Sequence, residues 1–112
     1  MNWIFLTEEA QITNIKELSN QKTQVIFKHS SRCSISSIAK NRLERSPAPV
    51  DIDFYYLDLI QFRSLSDKIA NDFHVFHESP QVLVIKNGDC IYEESHSGIN
   101  MDDIIEQSDL SK

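Results

Sequence analysis

Val25-Ile26-Phe27-Lys28-His29-Ser30-Ser31-Arg32-Cys33-Ser34-Ile35-Ser36 decides the reading of this 112-residue chain. The run opens as a short apolar strand and stops at a serine-rich turn. Helical spacing then begins with Ile35, Ile38, Ala39, Arg42 and Leu43. Cys33 therefore sits where a strand ends and a helix starts. Unpaired N–H groups and the positive end of the helix dipole converge at such a point. They favour a thiolate and lower a cysteine pKa below its free value of about 8.5. The thiolate is the reactive form, so the position suits a nucleophile.

Working outward, strand and helix patterns alternate. Trp3 to Phe5 reads as a short strand, and Glu8 to Asn20 as a helix with Ile12, Ile15 and Leu18 on one face. Thr7 is its expected N-cap, with Ala10 rather than an acid or amide three residues on, so no full capping box is expected. Gln24 to Lys28 is a strand, Ser34 to Arg45 a helix, and Ser46-Pro47-Ala48-Pro49 the loop that ends it. Ile52 to Leu57 is a strand rich in aromatic and branched residues. Gln61 to Phe73 repeats helically through Phe62, Leu65, Ile69, Ala70 and Phe73. After Ser79-Pro80, Val82 to Ile85 is a buried strand and Asn87-Gly88 a hairpin turn. Cys90 to Tyr92 is the returning strand, and Met101, Ile104 and Ile105 mark a closing helix.

This order predicts an α/β fold in one domain spanning residues 1–112: a mixed central sheet, helices on both faces, and a C-terminal β-hairpin plus helix. Sites in such sheets form outside the carboxyl ends of parallel strands, where Cys33 lies.

The net charge of −6 argues against nucleic acid as a partner, because phosphate contacts need a basic face. No apolar run approaches the roughly 18 residues of a membrane span, so no membrane partner is expected. The first residues, Met1-Asn2-Trp3-Ile4-Phe5-Leu6, lack the basic region and cleavage site of a signal peptide. Cytoplasmic localisation is the resulting expectation. Cys33 and Cys90 are too few for a disulfide-stapled scaffold.

The element order, with a cysteine after the second strand and Ser79-Pro80 before the fourth, resembles the thioredoxin superfamily over essentially the whole chain. Most of that superfamily carries Cys-x-x-Cys, whereas here Ser36 replaces the second cysteine of Cys33-Ser34-Ile35-Ser36. The string His29 to Ser36, with Ser79-Pro80-Gln81-Val82 downstream, resembles the monothiol bacilliredoxins and their Thr-Cys-Pro-Ile-Ser motif. Cys33, Ile35 and Ser36 match it, while Arg32 and Ser34 depart from it. The resemblance implies a monothiol thiol–disulfide oxidoreductase. Such an enzyme reduces mixed disulfides between bacillithiol and client proteins, with the small thiol as co-substrate and no bound cofactor.

Cys33 and Ser36 are then the catalytic residues, and Arg32, Ser34, Ser79 and Pro80 bind substrate. In the thioredoxin pattern the proline matching Pro80 follows a cis peptide bond and faces the cysteine. Ser79 would offer its backbone N–H and C=O groups to an extended substrate. The residues alone are compatible with this chemistry, since exchange needs an accessible thiolate. Ser36 cannot resolve a mixed disulfide but is placed to hydrogen-bond the sulfur.

Several features keep plainer readings. Arg32 either lowers the thiol pKa, binds a carboxylate of the small thiol, or is a solvated charge. Lys28 and His29 either add positive potential or face solvent along their strand. Cys90 reads as a buried structural thiol. His74, His77 and His96 lack the partners of a metal site, so no metal is expected. Glu8-Glu9, Glu93-Glu94 and Asp102-Asp103 read as solvated faces or first-turn charges. Gly88 and Gly98, the two glycines, make no phosphate-binding loop. Two other functions compete with catalysis. One is a thioredoxin-like binding or redox-sensor module capped at Cys33. The other is an iron–sulfur carrier, although the Cys-Gly-Phe-Ser of monothiol glutaredoxins has no counterpart here.

Overall fold

The computed structural model describes residues 1–110. The elements are β1 (Trp3–Phe5), α1 (Glu9–Leu18), β2 (Thr23–His29), α2 (Ser34–Arg45), β3 (Ile52–Asp58), α3 (Arg63–Phe73), β4 (Gln81–Lys86), β5 (Asp89–Ser95) and α4 (Met101–Leu110), with a 3-10 turn at His96–Gly98 before the last helix. Each predicted strand and helix is present, with ends shifted by a few residues. The 3-10 turn has no hydrophobic period and went unpredicted.

The sheet order is β1-β3-β2-β4-β5. β1 and β2 both run parallel to β3, while β4 runs antiparallel to β2 and β5 antiparallel to β4. The central strand β2 is buried at every position. Its alternation feeds two cores. Ile26 packs with Ile12, Ile15, Leu65, Ile69 and Leu83 on the α1/α3 face. Val25 and Phe27 pack with Ala39, Leu43, Val82, Val84 and Ile104 on the α2/α4 face. Helices on both faces explain why β2 is apolar for most of its length rather than strictly alternating. Asn87 (φ 52°) and Gly88 (φ 81°) both take left-handed backbone, as the tight β4–β5 hairpin requires. Their N–H groups donate to Ser19 O at 2.9 Å and Ser19 Oγ at 2.8 Å.

Three local expectations change. The N-cap of α1 is Glu8, not Thr7. Moving the cap by one residue places Gln11 at the third helical position. Its Oε1 there accepts the N–H groups of Thr7 at 2.8 Å and Glu8 at 3.0 Å, so a capping-box bond does form. The buried face of α2 is Ser36, Ala39 and Leu43. Ile35 and Ile38 are 52% and 57% exposed, because small residues let the helix sit close to the sheet and turn the isoleucines outward. Lys28 does not face solvent: it is 0% exposed, since α3 covers that side of β2. Among the described residues no helix is long and apolar enough to cross a membrane.

Candidate active site

Cys33 is the N-cap residue of α2, in extended backbone with φ −108° and ψ 121°. Its own N–H donates to Ser30 O at 3.1 Å, which closes the turn after β2. An N-cap side chain points back at the amides of the first turn. A thiol is a weak acceptor and makes no cap hydrogen bond as such. The thiolate is what those amides favour. The backbone N–H of Ser36, then that of Ile35, holds the Cys33 pKa below the ordinary thiol value. Partial burial opposes them, and the Ser36 hydroxyl adds a smaller contribution in the same direction.

Ser36 is fully buried, and its Oγ accepts the Ser30 N–H at 3.3 Å. Its oxygen is engaged by the turn while its proton is available to the sulfur. Arg32 and Ser34 are both exposed beside the thiol. Of the three readings of Arg32, the one in which it lowers the thiol pKa has no support, since Arg32 is not among the groups that shift Cys33.

The Ser79-Pro80 peptide is cis. Lys28 pairs with Gln81 across β2 and β4, so the segment just before Gln81 lies at the carboxyl end of β2, the end from which Cys33 follows. Pro80 O already accepts the His96 N–H at 3.1 Å. Among the described residues the backbone groups of Ser79 have no hydrogen-bond partner, and its buried Oγ has none either. The segment therefore leaves backbone groups unpaired at the end of the sheet from which Cys33 follows.

Behind the site, the His29 ring lies 5.3 Å from Tyr56 and 5.7 Å from Phe27, centroid to centroid. Burial first, and the charge of Lys40 second, push its pKa below the usual imidazole value.

Cys90 is a different kind of sulfur. Burial pushes its pKa up to about 11, and its Sγ donates to Tyr92 O at 3.3 Å. The histidines considered for a metal are dispersed: His74 is the left-handed cap of α3, His77 contacts Lys28, and His96 lies 3.6 Å from Glu78. Two features of this end escaped the sequence reading. The exposed Ile35 and Ile38 carry apolar surface from the thiol along α2, and the buried Lys28 bonds His77 ahead of Ser79. The signal for the first was two isoleucines among serines at a helix start. For the second there was none.

A solved structure described as a proposed oxidoreductase with a thioredoxin fold is 32% identical, with a TM-score of 0.81 over 94% of this chain and 92% of that one. Thioredoxins are similar in fold. That of Malassezia sympodialis is 14% identical, with a TM-score of 0.72 over 98% of this chain and 90% of its own. That of Fasciola hepatica is 16% identical, with a TM-score of 0.73 over 96% and 98%. The sequence profile of the family described as "Monothiol bacilliredoxin BrxC" matches residues 4–104. With a thiol at the start of α2 and a serine one turn inward, and with the profile matching over residues 4–104, the chain belongs to the monothiol bacilliredoxin family and has a thiol–disulfide redox function.

Proposed function

We propose that the protein removes bacillithiol from client proteins in a reducing cytoplasm, with Cys33 as the nucleophile. The Cys33 thiolate attacks the bacillithiol sulfur of the client's mixed disulfide. The bond between client and bacillithiol breaks as the bond between Cys33 and bacillithiol forms. The client sulfur leaves as a thiolate and takes a proton from water. A second bacillithiol thiolate then attacks the capped Cys33, which releases the Cys33 thiolate and oxidised bacillithiol. The one free bacillithiol is the reductant: its sulfur ends joined to the bacillithiol sulfur taken from the client as oxidised bacillithiol, while the client sulfur is released as a thiol, and no bound cofactor takes part.

Ser36 donates a hydrogen bond to the sulfur whenever it is a thiolate. Ser79, followed by Pro80, offers its backbone groups to the client strand, and the exposed Arg32 and Ser34 flank the small thiol. The observation that carries the reading is the pairing of two amide donors on Cys33 with a serine, rather than a second thiol, at position 36. Without a neighbouring thiol the capped state waits for a small thiol.

The test is intact-mass spectrometry of reduced protein mixed with a bacillithiolated client, beside a glutathionylated client and a Cys33→Ala control. Rapid bacillithiol transfer to the wild-type chain, absent in the control, is the expected result. Preferential transfer of glutathione overturns the choice of thiol. No transfer from either client demotes the chain to a binding or sensor module.

A further inference from the structure

Lys28 has a fully buried ammonium whose placement the thiol chemistry does not explain. Taking such a charge out of water is costly unless its protons are satisfied. Its Nζ donates to Ser66 O at 3.2 Å and lies 3.3 Å from Nδ1 of His77. Among the described residues no carboxylate is within ion-pair distance of it. Ser66 Oγ approaches the same His77 nitrogen at 3.3 Å. A lysine ammonium has protons to give and no lone pair, so Nδ1 of His77 must be the acceptor. The imidazole is then neutral, with its proton on Nε2.

His77 belongs to the stretch 74–80, which forms neither helix nor strand between α3 and β4. Side chains from the sheet hold that stretch. Gln81, the cross-strand partner of Lys28, donates from Nε2 to Phe76 O at 3.0 Å. Gln81 Oε1 accepts the Glu78 N–H at 3.4 Å. Lys28 holds His77 between them. The next residue along is Ser79, with its open backbone groups.

We propose that Lys28 and His77 are positioning residues for the Ser79-Pro80 edge, and that protonation of His77 releases this edge from the sheet. The inference rests on the reading that clients bind at Ser79-Pro80. Once protonated, Nδ1 turns from acceptor to donor and confronts the donors of Lys28 and Ser66. The charged groups facing His77 are Lys28 from β2, Arg63 and Asp67 from α3, and Glu78 from its own stretch. Burial, Lys28 and Arg63 outweigh the two acids and hold the His77 pKa below the ordinary imidazole value. Glu78 has a second neighbour in His96, 3.6 Å away on the 3-10 turn.

The test follows the full chain between about pH 5 and 8, reading the His77 ring by NMR and the protection of the Glu78 amide, which Gln81 Oε1 accepts, by hydrogen exchange. In the wild type, protection across this stretch falls about tenfold as His77 titrates, the loss expected when one hydrogen bond opens. His77→Gln, whose amide oxygen accepts without titrating, holds protection constant. Lys28→Met shows low protection throughout. KM for a bacillithiolated client rises on acidification in the wild type and stays level in His77→Gln, while alkylation of Cys33 per thiolate is the same in both. Protection that stays flat across the His77 titration overturns the inference, and so does a His77→Gln profile identical to the wild type. Loss of protection without any client transfer strikes the reductase reading alone.

Discussion

The hydroxyl of Ser36 takes the N–H of Ser30 on its oxygen at 3.3 Å, so the turn that presents Cys33 is tied to the helix that activates it. The backbone N–H of Ser36 is also the largest single cause of the lowered Cys33 pKa. One residue thus stabilises the thiolate and fixes the loop on which it stands.

Ser36→Ala separates these roles. The amide N–H that dominates the thiol shift remains, while the smaller hydroxyl contribution goes. The Cys33 pKa rises but stays below the ordinary thiol value, as the pH dependence of iodoacetamide alkylation would record. The Ser30 N–H loses its acceptor, at a cost of about 1 kcal/mol in chemical denaturation. A pKa equal to that of a free thiol would show that the hydroxyl, not the amides, activates the sulfur.

The two cysteines differ in reactivity because they differ in surroundings. Cys33 faces amide donors, whereas burial raises the Cys90 pKa to about 11. At neutral pH, limiting iodoacetamide labels Cys33 alone, and a second label appears only on unfolding. Peptide mapping after labelling checks this, and comparable early modification of both sites would refute it.

Lys28 makes the fold pH-dependent on the alkaline side. Its pKa falls from 10.5 to about 8, with burial as the leading cause and Asp67 opposing it. Between those values the unfolded chain holds a proton that the folded chain has lost, so stability rises with pH across that window. The gain approaches about 3 kcal/mol, from ~1.4 kcal/mol per pH unit. Lys28→Met lacks this slope and is more stable at neutral pH, since no ammonium is buried. Urea denaturation of the pair at successive pH values measures the difference. Parallel curves would mean that the buried amine is charged and uncharged at equal cost.

Gly88→Ala tests the β4–β5 hairpin without touching the packing. No atom lies within 4 Å of where its Cβ would stand, so the whole cost is that of φ 81°. A loss of about 1 to 2 kcal/mol is expected, with an unchanged alkylation rate at Cys33. A loss near zero would mean that the turn relaxes into another form.

Much of this protein is legible in its residues because the signals are local. The periods of Ile52 to Leu57 and of Leu65 to Phe73, the Asn87-Gly88 turn, and the strand-to-helix switch at Cys33 each involve neighbours within about one helical turn. They specify the order of elements and put the thiol at a helix start. Its activation by first-turn amides follows from that position alone. What the residues leave open depends on partners far along the chain. Lys28 reads like a solvent-facing charge until α3 and the 74–80 stretch close over it, with Ser66 and His77 lying 38 and 49 residues away. Ile35 and Ile38 read as a core face until Ser36, Ala39 and Leu43 prove the better fit against the sheet. The strand order, the burial of Lys28 and the open edge at Ser79 come from tertiary packing, because burial belongs to a pair of surfaces and a sequence pattern describes only one of them.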